Sequence, residues 1–152
     1  MHSRKVVPFF VLTIGVLLLL TYCATTKTVL PTDNIDELIG TWINLPYTVY
    51  GPHLKKWKCV YNADMTVELY TYQTDNPALV CSIEVKEKWV DEKGAIYFKD
   101  TLITGWGNTD RLLKISADRK LLEALFASNM KYLPTELNPE APYCLYLFWY
   151  RQ

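Results

Sequence analysis

Histidine is scarce in this chain of 152 residues, which contains only His2 and His53. A single histidine outside the N-terminal segment cannot build a multi-histidine metal site. A serine triad would have to recruit His53, and none of the available serines lies in a nucleophile-elbow sequence: Ser82, Ser116 and Ser128. A solvated loop is the simpler interpretation of His53. The sequence therefore predicts a protein that is not an enzyme, with no metal site and no cofactor.

An excess of charge of either sign is also missing. The 16 basic residues balance the 16 acidic ones, so the sequence lacks the basic footprint of a nucleic-acid-binding protein. Removal of residues 1–22 would take Arg4 and Lys5 with it and leave 14 basic against 16 acidic residues. Such a mild negative balance suits a soluble surface and implies no strong electrostatic partner.

A long apolar run is present at the N-terminus, where Val6 to Leu20 follow the positively charged residues Arg4 and Lys5. A run of about 15 apolar residues fits a signal peptide better than a membrane span, which needs about 20. We therefore expect residues 1–22 to be a signal peptide.

Cys23 stands where this run ends. Leu20 and Thr21 before it resemble a bacterial lipobox, although Tyr22 takes the place of the usual small residue. The resemblance implies a lipoprotein whose Cys23 sulfur carries diacylglycerol and whose amine carries an acyl group such as palmitate, which anchors the chain to a membrane. By resemblance to lipoprotein sorting in Gram-negative bacteria, Ala24 after the cysteine, instead of aspartate, implies the outer membrane of the cell envelope. A plain signal peptide and an uncleaved anchor are the alternatives.

Residues 23–35 are predicted to join the anchor to the folded domain. Ala24 to Pro31 is rich in threonine and has no periodicity, which is typical of a flexible tether. Asp33 or Asn34 could then cap a short turn that ends at Gly40, a residue suited to a left-handed backbone conformation.

The stretch from Gly40 to Tyr150 consists of short segments in which apolar and polar residues alternate. Lys55 to Tyr61 and Met65 to Tyr72 show this period of two, and Asp91 to Gly94 is typical of a hairpin turn. The sequence therefore predicts an all-β fold, an antiparallel up-and-down meander of about eight strands that closes into a small barrel. An open sheet or a sandwich is the alternative.

Two parts of the meander are predicted in more detail. One face of a single strand carries apolar side chains at four positions, namely Cys81, Ile83, Val85 and Trp89. Further along, Ala95 to Lys99 and Thr101 to Trp106 are predicted as separate strands, followed by a turn at Gly107 to Asp110.

The first strand begins with Gly40-Thr41-Trp42, which resembles the Gly-x-Trp motif of the lipocalin-like (calycin) group. Members of this group have an arginine near the chain end that packs over the tryptophan, and Arg151 is the matching residue. The resemblance covers residues 36–152. It implies that Gly40, Trp42 and Arg151 close one end of a barrel, and that the barrel binds a small hydrophobic ligand.

The candidate ligand-binding residues are aromatic side chains that could line an interior pocket, together with one carboxylate that could fix a polar head group: Trp57, Tyr61, Trp89, Tyr97 and Glu87. The same aromatic residues could equally fill a small barrel solidly. Glu87 could instead lie at a bulge or a strand end that turns it towards water.

Three cysteines follow Cys23, namely Cys59, Cys81 and Cys144. An exported protein can form disulfides. In a simple meander, however, the strand of Met65 separates the strands of Cys59 and Cys81, and two strand spacings of about 4.8 Å exceed the usual reach of a disulfide. We therefore expect no bridge between Cys59 and Cys81, and buried free thiols instead.

Two functions fit these observations. The first is a membrane-anchored, lipocalin-like lipoprotein that binds a small hydrophobic ligand in the barrel or at its mouth. The second is a non-enzymatic envelope module that docks a protein or a polysaccharide through its outer face. In both, we expect a monomer that is attached to the membrane through lipid on Cys23.

Overall fold

A computed structural model describes residues 27–44, 57–71 and 75–152. The predicted signal peptide at residues 1–22, Cys23 and His53 lie outside the described residues. Within the described ranges, no helix has both the length and the apolar character needed to cross a membrane.

The fold is all-β, as predicted. Eight antiparallel strands close into a barrel, and β1 adds a ninth strand at its edge. A 3-10 helix at Met130–Tyr132 lies between the last two strands. The strands are β1 (Thr28–Val29), β2 (Gly40–Asn44), β3 (Trp57–Tyr61), β4 (Thr66–Tyr70), β5 (Leu79–Val90), β6 (Ile96–Thr104), β7 (Gly107–Ile115), β8 (Leu121–Ala127) and β9 (Cys144–Arg151).

The barrel closes where the last strand pairs with the first strand of the meander. Trp42 of β2 lies opposite Arg151 of β9, and Ile43 lies opposite Tyr150. Around the rest of the circle each strand pairs with its neighbour in sequence, and β5 pairs with both β4 and β6. This continuous pairing rules out the open sheet and the sandwich.

The barrel has two different ends. At the first, which we call the hairpin end, short turns join β3 to β4, β5 to β6 and β7 to β8. Gly94 in the second of these turns has a φ of 80°, as expected for a hairpin glycine. At the opposite end, called the loop end, lie residues 75–78 and the connections at residues 105–106 and 128–143.

A β-bulge divides β5 into two halves. Val85 pairs with Asp100 and Glu87 pairs with Lys99, so residue 86 has no partner across β6. Because an extra residue reverses the alternation of faces, Lys88 is buried beyond the bulge and Trp89 faces outward. The prediction that Trp89 shares a face with Ile83 is therefore wrong, and the bulge considered for Glu87 is confirmed.

The segment before β2 is held against the barrel. Thr28 and Val29 pair with the last residues of β5, and the Leu30 N–H donates to the Lys88 carbonyl at 2.8 Å. These residues belong to the stretch predicted as a tether, and in the structure they are paired with the barrel. The buried Lys88 ammonium adds a second attachment, since it lies 2.7 Å from the Glu37 carboxylate and donates to Asn34 Oδ1 at 2.9 Å.

The turn between β6 and β7 is also placed differently from the prediction. β6 is one continuous strand, and β7 already begins at Gly107, so the turn consists of Gly105 and Trp106. The Thr104 hydroxyl donates to the Gly107 carbonyl at 2.6 Å and accepts from the Trp106 N–H at 3.1 Å. These side-chain bonds stabilise a two-residue turn at positions 105–106. The alternation of apolar residues had indicated a longer turn at Gly107 to Asp110.

Candidate functional site

The hairpin end is plugged by Trp42, whose side chain is fully buried. Its indole N–H donates to the Leu38 carbonyl at 2.8 Å. The Arg151 guanidinium lies 4.7 Å from the centre of the Trp42 ring and donates to the carbonyls of Glu37 and Ile39. This is the contact that the lipocalin-like resemblance implies. It places a cation on an indole face and satisfies backbone carbonyls at the same time.

The lumen next to this plug is filled by apolar side chains. They come from every side of the barrel and from the turn before β2, and include Leu38, Phe98, Leu113, Leu122 and Trp149. None of these side chains is exposed by more than a few per cent. The interior near the hairpin end is therefore a packed core.

Three polar side chains meet in the middle of the barrel, and we call them the interior triad: Tyr61, Asp100 and Arg111. Arg111 donates to Asp100 through two bonds, Nε to Oδ1 at 2.8 Å and Nη2 to Oδ2 at 2.7 Å. Its Nη1 donates to the Tyr61 hydroxyl at 2.9 Å. Arg111 is 2% exposed and Asp100 is 0% exposed. The triad is thus a bidentate ion pair held entirely away from water.

The surroundings set the protonation of the triad. Burial alone would lower the pKa of Arg111, but the Asp100 carboxylate and the Tyr61 hydroxyl raise it above its ordinary value. Burial raises the pKa of Tyr61 as well, against the opposing influence of Arg111. Arg111 therefore stays charged and Tyr61 stays protonated at any physiological pH.

Asp100 and Arg111 were not among the predicted site residues. A signal was present, however, because both fall on the inward phase of an alternating strand. Asp100 follows Phe98 by two residues, and Arg111 precedes Leu113 by two. Opposite charges at inward positions of two neighbouring strands indicate a buried pair.

The loop end differs from the packed half of the lumen. Phe126 is half-buried on the inner face, 5.9 Å from the Arg111 guanidinium. Leu145 of β9 lies opposite Phe126 of β8 and therefore shares its inner face, yet Leu145 is 58% exposed. Trp57 is on the same face of β3 as Cys59 and is 45% exposed. Apolar side chains on the inner face thus meet solvent at this end.

The predicted ligand-binding residues are not brought together. Tyr61 belongs to the interior triad and Trp57 lies at the loop end. The other three form a group on the outer face: Trp89 stacks on Tyr97 with ring centres 5.1 Å apart, and Glu87 is nearby. Glu87 was considered for a position inside the barrel. Because of the bulge, its side chain lies on the outer face instead.

Lysine side chains complete this outer group. The Lys27 ammonium lies 3.6 Å from the centre of the Trp89 ring. Glu87 is 3.4 Å from both Lys27 and Lys99. Partial burial alone would raise the pKa of Glu87, but the two lysines lower it below its ordinary value. The outer group therefore fastens Lys27, the residue immediately before β1, to the wall of the barrel.

The three described cysteines are free thiols, as predicted; Cys59 and Cys81 are buried, whereas Cys144 is only half-buried. Cys59 pairs with Leu69 and Cys81 pairs with Val67, so β4 separates the two cysteines. Burial raises the pKa of the Cys59 thiol to about 12, which keeps it protonated.

Among the described residues, no group of three or more histidine, cysteine or acidic side chains could hold a metal ion. No protein-family model matches the sequence, and neither a curated protein nor a solved structure was found to match it. The closed eight-stranded antiparallel barrel is compatible with a lipocalin-like fold.

Proposed function

We propose that this protein is a lipocalin-like lipoprotein of the bacterial cell envelope that binds a small hydrophobic ligand at the loop end of its barrel. The proposed activity is binding without catalysis, by a monomer attached to the outer membrane through lipid on Cys23.

The exposure of inward-facing apolar side chains at the loop end supports the binding activity most directly. Leu145 and Trp57 are about half exposed, although each lies on the face of its strand that is buried further along. Exposed apolar surface in a concave position is typical of a ligand site. The half-buried Phe126 extends this surface inward as far as Arg111.

Native mass spectrometry of the full-length protein, purified from membranes in mild detergent, tests the binding activity. We expect an additional mass from a co-purified apolar molecule, or a mass shift after incubation with a panel of small apolar compounds. A protein that carries no such molecule and shows no shift with any compound would contradict the proposal.

The anchor rests on the position of Cys23 at the end of the apolar run and on the short chain that follows it. Ala24 to Thr26 separate Cys23 from Lys27, which contacts the barrel wall. Four residue steps span at most about 14 Å. Because β1 lies beside the β5–β6 hairpin, the anchor would hold the hairpin end near the bilayer and leave the loop end facing away from it.

Substitution of the cysteine tests the anchor. We expect Cys23→Ala to release the protein from the membrane fraction, because two or three acyl chains are needed for stable attachment. The matched control Cys144→Ala removes a thiol at the start of β9 and should leave the protein on the membrane. Membrane retention of Cys23→Ala would contradict the anchor.

Docking of a protein or polysaccharide is a second candidate function, favoured by one observation. Trp106 at the tip of the β6–β7 turn is 93% exposed, and the hydrogen bonds of Thr104 close that turn. Cosedimentation with purified peptidoglycan tests this function. Loss of cosedimentation in Trp106→Ala, in a protein that binds no apolar compound, would favour docking over ligand binding.

A further inference from the structure

The side chains of Arg111 and Tyr61, joined by a hydrogen bond, together span the lumen. Arg111 belongs to β7 and Tyr61 to β3. In the closed circle of eight strands, three strands separate β3 from β7 in either direction. The two strands are therefore diametrically opposite, and a 2.9 Å bond between their side chains forms a bar across the interior.

This bar is held firmly in place. Asp100 on the neighbouring strand fixes the guanidinium through two further bonds, so the planar group cannot turn aside without breaking them. A ligand that pushed the guanidinium away would leave the buried Asp100 carboxylate without its partner, which is strongly unfavourable. An apolar molecule offers nothing to replace these bonds.

The lumen is different on the two sides of the bar. Towards the hairpin end it is packed with Phe98, Leu113 and Trp149, all buried. Towards the loop end Leu102 and Cys81 are buried as well, and the apolar side chains that solvent reaches lie further out, at the half-buried Phe126 and the exposed Leu145. The accessible apolar surface is therefore confined to the part between the bar and the loop end.

We propose that the interior triad is the floor of the ligand site and restricts it to short apolar molecules. This inference rests on the proposed binding function and names its ligand class. From Gly107 to Arg111 the strand advances by four residues, or about 13 Å along β7. Strands in barrels of this kind tilt by about 40°, so the site would be about 10 Å deep. A long acyl chain would leave much of its length in water.

A series of straight-chain alcohols from butanol to hexadecanol tests the floor, with full-length wild-type protein and isothermal titration calorimetry. We expect affinity to rise by about fourfold for each methylene group among the short members, because each one is buried. The increase should stop near octanol, when the chain reaches the triad. Alcohols are uncharged throughout the series, so no change in head-group charge accompanies the change in length.

The outcomes separate this inference from the function on which it rests. An affinity that keeps rising through hexadecanol would overturn the floor and leave the binding function standing. Absence of binding by every alcohol would overturn both. The double variant Asp100→Ala with Arg111→Ala removes the floor without leaving a lone charge. If this variant folds, the alcohol length at which affinity stops rising should move to longer chains. The alcohol series with wild-type protein already decides whether the interior triad is the floor of the site, so the test does not require that variant to fold.

Discussion

At the scale of single residues, the ion pair between Asp100 and Arg111 is the feature with the largest consequences. Both side chains are buried, and both oxygens of the Asp100 carboxylate accept hydrogen bonds from Arg111. Loss of one partner leaves the other as an uncompensated charge, whereas replacement of both by apolar groups removes the problem. The two kinds of variant should therefore differ greatly in stability.

We expect Asp100→Ala to lower the free energy of unfolding by about 3 to 5 kcal/mol, because it leaves the Arg111 guanidinium buried and unpaired. The double variant Asp100→Leu with Arg111→Met should recover most of that loss. Urea unfolding followed by tryptophan fluorescence measures both values. A loss below about 1 kcal/mol for the single variant would show that water reaches the pair.

The burial of the Cys59 thiol should make the stability of the protein depend on pH. Its pKa rises from 9.0 to about 12 on folding because of burial, so the unfolded chain loses its proton at lower pH than the folded one. The unfolded state then binds fewer protons above pH 9, and stability falls as pH rises towards 12. The contribution of one such group approaches about 1.4 kcal/mol per pH unit.

Comparison with Cys59→Ala separates the contribution of the thiol from that of Tyr61. The pKa of Tyr61 is also raised by burial. The variant should lose stability less steeply than wild type between pH 9 and 12. Equal slopes in the two proteins, measured by urea unfolding at a series of pH values, would mean that the thiol is hydrated.

At the scale of strands, the β5 bulge decides which side chains face the lumen. Alternation alone continues through Val85 and places Trp89 inside, which is the arrangement that the sequence predicted. The structure instead buries Lys88, because Asn34 and Glu37 are available to satisfy its ammonium. Those partners come from more than 50 positions earlier in the chain, and a local pattern cannot reveal them.

Deletion of one residue tests the bulge. Removal of Lys86 leaves a regular strand in which residues 87–90 keep their faces, so we expect a loss of less than about 2 kcal/mol in the free energy of unfolding. Removal of Glu123 from β8, which has no bulge, reverses the faces of residues 124–127 and should cost more than about 4 kcal/mol. Similar losses in the two deletion variants would contradict the account of the bulge.

At the scale of the whole molecule, the closed barrel could be predicted because it depends on repeated local features. Alternation defines the strands, and short turns between them leave an antiparallel meander that must close or expose an edge. The Gly40 and Trp42 motif also identified Arg151 correctly as the residue that packs over the indole. The strands and turns can be predicted from residues close together in the sequence, whereas Arg151 was identified through the family resemblance.

The division of the lumen could not be predicted in the same way. It depends on which strands become diametrically opposite, and that follows only from the complete circle. Tyr61 was predicted as one pocket residue among several, whereas closure makes it the partner of Arg111. Leu145 is likewise exposed at the loop end, although Leu147 and Trp149 on the same face of β9 pack into the core.

The central claim is that a small apolar ligand binds inside the loop end, and one titration tests it most directly. Octanol is titrated into three full-length proteins by calorimetry: wild type, Leu145→Glu and Tyr150→Glu. Leu145 and Tyr150 lie on opposite faces of β9 and are both exposed. We expect binding to weaken at least about tenfold in Leu145→Glu, which places a charge in the site, and to be unchanged in Tyr150→Glu. Equal affinities for octanol in all three proteins would contradict the claim.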